Sequence, residues 1–181
     1  MIKKHSLFKY ELFSNIFIII AGILLHFGYE WSSSNFFIGS FCSVNESVWE
    51  HLKLIFVPTL IVIIIGTFYN KEKYPDYLSY KTSGLIYSLL FTVIFYYTYT
   101  GVLGYNITFL DISSFFIAII VGEIVTIKNL FYGSKLNNKN SLYILSLLTL
   151  AFIIFTYFPL KIGLFQDPIT KTYGIFKIKN I

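Results

Sequence analysis

One segment of this chain carries four ionisable side chains directly into a long apolar run, and it decides the fold: NESVWEHLKLIFVPTLIVIIIGTFY, residues 45–69. The run after Lys53 is long enough for a helix to cross a hydrocarbon core of about 30 Å. A charged side chain placed there costs on the order of 3 kcal/mol even on lenient insertion scales. Such charges usually face a polar interior, so the segment predicts a membrane helix with a functional site at its beginning.

Composition also favours a membrane protein. The 181 residues are 56% hydrophobic and only 13% charged, with a mean hydropathy of +0.70. The net charge of +5 does not indicate nucleic acid binding, because the lysines lie in short segments between apolar runs without a recognition motif. All fourteen cations are lysine, so the guanidinium fork that grips phosphates is absent. Cys42 is the single cysteine, which excludes an internal disulfide and a thiolate metal cage.

Five apolar segments are long enough to span a bilayer as helices: residues 12–29, 48–69, 85–103, 109–131 and 142–158. We therefore expect an all-α membrane protein, a bundle of about five transmembrane helices that forms one integral membrane domain over residues 1–181. Residues 32–42 are apolar in part but too short to span, which indicates a re-entrant or interfacial segment anchored by Phe36, Phe37 and Phe41. An outer C-terminal tail follows the last helix.

The distribution of lysines predicts the orientation. Nine lysines lie before segment one, between segments two and three, and between segments four and five: Lys3, Lys4, Lys9, Lys71, Lys73, Lys81, Lys128, Lys135 and Lys139. By the positive-inside rule these ends are cytoplasmic, so the N-terminus is predicted inside and the C-terminus outside. Four lysines of the tail oppose this orientation and are outnumbered: Lys161, Lys171, Lys177 and Lys179.

This orientation brings polar side chains from four helices and the tail to the outer side, where we expect an outward-opening polar cavity. The candidate ligand-binding residues are Glu46, Glu50, His51, Lys53, His26, Glu30, Asp111 and Asp167. At 100° per residue, Glu46, Glu50 and Lys53 form one stripe of the second helix. On helix four, the small residues Ser114, Ala118 and Gly122 lie in line with Asp111, and on helix one Gly22 lies in line with His26. Small residues at these positions predict close helix packing.

Several of these residues also have a purely structural interpretation. Ser43 and Glu46 match a capping box that would open the second helix. Glu50 and Lys53 are spaced for an ion pair on one helix. The two interpretations differ in their consequence, because a transport carboxylate tolerates Glu50→Gln without loss of fold and a structural ion pair does not. Glu123 lies in the inner half of its helix, where it is placed to neutralise a lysine.

Four stretches resemble a family of small bacterial integral membrane proteins catalogued as a domain of unknown function. The motifs are YEWS at 29–32, VNESVWEHLKL at 44–54, YTYTGVLG at 97–104, and DPIT with TYG at 167–170 and 172–174. The resemblance covers essentially the whole chain and implies a bacterial cell membrane. It implies no activity, ligand, cofactor or catalytic residue.

Three functional classes remain open at this point. The favoured one binds or transports a small polar or cationic solute, since paired charges lie in one membrane layer. The second is a membrane-embedded hydrolase. In it, either His26, His51 and a carboxylate of Glu50 or Asp111 hold a divalent metal, or a carboxylate pair acts as acid and base. The third is a structural or partner-binding subunit. Whether the chain is an enzyme, which cofactor it uses and whether it forms an oligomer are not decided by the sequence.

Overall fold

A computed structural model of the chain describes residues 2–176 and 178–179, with side chains for residues 7–176. Six α-helices account for most of it: α1 Ile2–Trp31, α2 Phe36–Gly39, α3 Val48–Asn70, α4 Tyr77–Leu103, α5 Thr108–Tyr132 and α6 Asn138–Tyr157. A 3-10 helix follows at Gly163–Phe165, and β1 Thr172–Tyr173 pairs antiparallel with β2 Ile178–Lys179. The expected all-α membrane bundle is therefore confirmed, with one small strand pair in the tail.

Among the described residues, five helices are long and apolar enough to cross a membrane: Leu7–Trp31, Val48–Asn70, Tyr77–Leu103, Thr108–Tyr132 and Asn138–Tyr157. The prediction of five spans is thus confirmed. The start predicted for the third span was wrong, because α4 begins at Tyr77 and includes Lys81. The helix continues through this lysine since its ammonium group is buried in ion pairs with Glu11 and Glu123.

The segment between α1 and α3 forms a short helix that cannot span. Asn35 caps α2, with its side-chain oxygen accepting hydrogen bonds from the amides of Phe37 and Ile38. Phe36, Phe37 and Phe41 are all exposed, as an interfacial anchor requires. The capping box predicted from Ser43 and Glu46 was wrong.

Ser47 is the residue that caps α3. Its side-chain oxygen accepts a hydrogen bond from the amide of Glu50 at 3.4 Å. Ser43 instead donates its hydroxyl to the carbonyl of Asn45 at 2.8 Å. Glu46 consequently lies before the helix, and its carboxylate is free to turn towards the side chains of α1.

Glycines bring the helices close together, as the small-residue pattern predicted. Gly84 of α4 and Gly122 of α5 face each other so closely that a Cβ atom on either would overlap the backbone of the other. The hydroxyl of Ser88 donates across this contact to the carbonyl of Ala118 at 2.8 Å. Gly22 packs α1 on α3 in the same way, since a Cβ atom there would lie 2.6 Å from the carbonyl oxygen of Leu54.

We predict that Gly22→Ala destabilises the bundle by about 1–3 kcal/mol, because the added methyl group meets backbone that cannot move aside. Thermal unfolding of the detergent-purified protein measures the effect. Gly101→Ala is the matched control, since a Cβ atom on this helical glycine has no neighbour within 4 Å. Equal unfolding temperatures for the two variants would contradict the close contact of α1 with α3.

Candidate functional site

Glu50 and Lys53 form a buried ion pair at the start of α3, with only 1% and 0% of each residue exposed. The ammonium of Lys53 lies 2.5 Å from the carboxylate of Glu50. It also donates to the carbonyl of Gly39 at 2.8 Å and to the hydroxyl of Thr156 at 2.9 Å. The other contacts of the carboxylate are the amide of Val44 and the hydroxyl of Thr156, each at 3.1 Å. Every polar atom of the pair therefore has a partner, which makes burial of the two charges tolerable.

The tail of the chain closes over this pair. The amide of Ile175 donates to the carbonyl of Thr156 at 3.0 Å, and the side chain of Asn45 donates to the carbonyl of Gly174 at 3.3 Å. Phe165 of the 3-10 helix packs on Trp49, with ring centroids 4.9 Å apart. Glu50 and Lys53 are therefore closed off from solvent and do not line the outward-opening polar cavity that the sequence predicts.

The saturated network predicts a structural role for the pair. We expect Lys53→Met to destabilise the protein by about 3–5 kcal/mol, because it leaves the Glu50 carboxylate buried without a counter-charge. Glu50→Gln is expected to destabilise it too, whereas the double variant Glu50→Gln/Lys53→Met regains most of the loss. Thermal unfolding in detergent measures all three, with Glu72→Gln in an exposed turn as the control. A double variant no better than Lys53→Met alone would contradict the coupling.

A second group of side chains lies beside the ion pair and reaches the surface. His26 of α1, His51 of α3 and Glu46 each offer a ligand atom, and these atoms all lie within 4.8 Å of one another. The two imidazole centroids are 5.3 Å apart, and Nε2 of His51 lies 3.4 Å from the Glu46 carboxylate. We call these three residues the histidine cluster, and the end of the bundle that holds them the histidine end.

The two ring nitrogens of His51 both face acceptors. Nδ1 lies 3.0 Å from the carbonyl oxygen of Ser47, and Nε2 faces the Glu46 carboxylate. A neutral imidazole carries a single N–H, so it satisfies only one of these contacts. The other nitrogen requires either a second proton or a cation between it and the carboxylate. Nδ1 of His26, also buried, has no hydrogen-bond partner.

Asp167 and Glu46 join the tail to the cluster. The Asp167 carboxylate accepts hydrogen bonds from the amides of Ile169 at 2.7 Å, Thr170 at 3.0 Å and Glu46 at 3.4 Å. Burial opposes ionisation of Asp167, but these amides outweigh it and hold the pKa below its ordinary value. Contact with the His51 imidazole likewise holds the pKa of Glu46 below its ordinary value. Both side chains are therefore carboxylates at neutral pH.

The remaining predicted site residues lie around the cluster without joining it. Asp111 of α5 accepts a short hydrogen bond from the hydroxyl of Tyr99 on α4, and that hydroxyl also accepts from the amide of Ile107 at 3.3 Å. Glu30 is exposed at the end of α1. The structure thus divides the eight predicted residues into a closed ion pair, a three-residue cluster, a turn carboxylate and two peripheral acids.

The opposite end of the bundle holds a polar cluster that the sequence analysis did not assemble. Lys81 of α4 makes ion pairs with Glu11 of α1 and Glu123 of α5, the latter at 2.8 Å. The prediction that Glu123 neutralises an inner lysine is consistent with this contact. Glu11 was missed as its second partner, although a lone carboxylate at the start of a predicted span was a usable signal. We call these three residues the Lys81 cluster.

Five spanning helices that enclose paired charges define a multi-pass membrane protein. A family model matches residues 1–175, so the chain belongs to DUF6512, described as a family of unknown function. This match confirms the resemblance to a family of unknown function that the four sequence motifs indicated. Comparison with curated proteins and with solved structures finds no match.

Proposed function

We propose that this protein binds a divalent transition-metal cation of the zinc class at the histidine cluster. The proposal specifies the cationic solute expected from the sequence. Its main support is the set of ligand atoms from His26, Glu46 and His51 within 4.8 Å of one another. Two imidazole nitrogens and one carboxylate oxygen are a ligand set that zinc uses in proteins.

The surroundings of His51 suit a metal ligand. Imidazoles that bind metal usually donate their other N–H to a backbone carbonyl, which fixes the ring and the tautomer. The carbonyl of Ser47 lies at that position, 3.0 Å from Nδ1. Nε2 then presents its lone pair towards Glu46, where a cation would relieve the repulsion between lone pair and carboxylate. A metal ion thus satisfies both partners.

The cluster is open to solute from one side. The side chains of Glu46 and His51 are 45% and 32% exposed, whereas Glu50 and Lys53 beside them are closed off. This arrangement favours binding at the membrane surface over passage through the bundle. In this proposal Glu50 and Lys53 support α3, while Asp167 orients the Glu46 backbone and Glu30 and Asp111 add negative charge nearby.

We expect the purified protein to bind one Zn²⁺, measured by calorimetry and by elemental analysis after dialysis. His51→Ala is expected to weaken binding at least about tenfold, because it removes a ligand. Binding should also weaken in acidic solution, since a protonated imidazole cannot coordinate a metal.

Glu46→Gln tests the carboxylate ligand, and Glu72→Gln is the matched control in an exposed turn. The control should bind zinc like the parent, whereas Glu46→Gln should bind more weakly. Absence of zinc binding to the folded parent would overturn the proposal and leave a protonated His51 paired with Glu46 as the description of the cluster.

A metal-dependent hydrolase is the second candidate, and one observation favours it. Three protein ligands leave a fourth position of a tetrahedral zinc open, as in catalytic sites. The carboxylate in this site is Glu46, whereas the sequence analysis considered Glu50 or Asp111. Zinc-dependent hydrolysis of small ester or peptide substrates that His51→Ala abolishes would support this candidate over simple binding.

We also propose that the protein forms one domain in a bacterial cell membrane with the histidine end outside, following the lysine distribution. Cys42 is buried against Gly28, and burial raises the pKa of its thiol, so it should react slowly.

We therefore predict that Ser34→Cys reacts with an impermeant maleimide on intact cells, and that Glu72→Cys reacts only after permeabilisation. The reverse order would place the histidine end inside.

A further inference from the structure

We propose that metal binding at the histidine cluster and docking of the C-terminal tail stabilise each other, with Asp167 as the positioning residue that links them. The tail is residues 158–176, the segment after α6. This coupling rests on the zinc-class cation proposed above and adds regulation to the same site. The docked tail raises the affinity for the metal, and the bound metal fastens the tail over the end of the bundle.

Glu46 is the ligand of the histidine cluster whose place is not fixed by a spanning helix. His26 lies on α1 and His51 on α3, whereas Glu46 lies in the loop from α2 to α3, one residue before the Ser47 cap. A loop has more freedom to move than a packed helix. The contacts that hold this loop therefore decide whether the carboxylate stays within reach of the two imidazoles.

The tail holds the loop through two hydrogen bonds. Oδ2 of Asp167 accepts from the backbone amide of Glu46 at 3.4 Å. The side-chain amide of Asn45 donates to the carbonyl of Gly174 at 3.3 Å. Because these bonds attach two adjacent loop residues to the tail, docking of the tail places the carboxylate ligand.

Asp167 uses its two carboxylate oxygens for two different purposes. Oδ1 accepts hydrogen bonds from the amides of Ile169 at 2.7 Å and Thr170 at 3.0 Å, which forms a tight turn within the tail. Oδ2 reaches out of this turn to the Glu46 amide. Asp167 is only 4% exposed, so a single buried side chain organises the turn and contacts the metal-binding loop.

Electrostatics gives the direction of the coupling. The carboxylates of Asp167 and Glu46 repel each other, and this repulsion opposes docking of the tail. A divalent cation held by Glu46 would outweigh the repulsion and attract Asp167. Metal binding should therefore favour the docked tail. By thermodynamic reciprocity, docking of the tail increases metal affinity by the same factor.

Hydrogen exchange followed by mass spectrometry tests the coupling in the detergent-purified parent, with Zn²⁺ compared against a chelator and against Mg²⁺ at slightly alkaline pH. The amide of Ile175 reports docking, because it donates to the carbonyl of Thr156 on α6. Zinc should slow its exchange at least about fivefold, the low end of typical coupling between sites. Magnesium should not, since it prefers ligand sets of oxygen alone. The amide of Lys73, hydrogen-bonded in the turn after α3, is the internal reference.

Asp167→Asn separates the two uses of the Asp167 side chain. Asparagine keeps an oxygen for the turn, as Asx turns accept either residue, but its NH₂ group cannot accept from the Glu46 amide. Zinc binding should weaken about tenfold, the scale expected when a residue that supports a ligand is lost. Exchange of the Ile175 amide should also stop responding to zinc.

Glu30→Gln is the matched control for loss of negative charge. Glu30 acts electrostatically on His26, so its neutralisation also removes a charge near the cluster, but it leaves the tail hydrogen bonds in place. In this variant zinc should still slow exchange of the Ile175 amide. A response lost in both variants would assign the effect to charge alone and overturn the positioning role of Asp167.

The outcomes separate the coupling from zinc binding itself. Slower Ile175 exchange with zinc in the parent and in Glu30→Gln, but not in Asp167→Asn, supports the coupling. If calorimetry shows zinc bound to the parent while this exchange is unchanged, the coupling is wrong and the proposed metal site stands. Absence of zinc binding overturns both. Unchanged zinc affinity in folded Asp167→Asn also overturns the coupling, and the response of the parent decides should this variant fail to fold.

Discussion

The structure depends on the rule that a charge enclosed in a membrane bundle must have a partner. Lys53 meets this rule with Glu50, Thr156 and the carbonyl of Gly39. Because Gly39 belongs to α2 and Thr156 to α6, one ammonium group holds the interfacial helix, the start of α3 and the last span together. Lys81 does the same at the other end for α1, α4 and α5. Apolar packing fills the space between the two ends but is less directional than these contacts.

The two ends of the bundle use their charges differently. At the histidine end the ion pair is saturated, and the unsatisfied contacts are those of the imidazoles and Glu46 near the surface. At the other end one ammonium, that of Lys81, lies between the carboxylates of Glu11 and Glu123. The first arrangement suits a soft or borderline divalent metal that arrives from water. The second joins α1, α4 and α5 within the protein.

Hydropathy and spacing predicted the parts of the fold that depend on a single helix. They gave five spans, the close contacts of Gly22 and Gly122, and the pairing of Glu50 with Lys53. Contacts between distant helices were out of reach, because periodicity says which side of a helix a residue occupies and not which helix faces it. Lys81 was placed in a loop for this reason, since its partners Glu11 and Glu123 are supplied by other helices. Glu46 was placed on α3 because Ser43 and Ser47 offer the same capping group.

Pairing of Lys81 with two helices has a consequence for biosynthesis. The most apolar part of α4 has the lowest mean hydropathy among the five spans, 1.4, and Lys81 adds a charge near the start of this helix. Glu11 precedes α4 in the chain, so its carboxylate is already synthesised when Lys81 is added. Glu123 follows on α5 and supplies the second carboxylate. Because a lone ammonium is unfavourable in hydrocarbon, these two ion pairs make the stable placement of α4 in a bilayer dependent on α1 and α5.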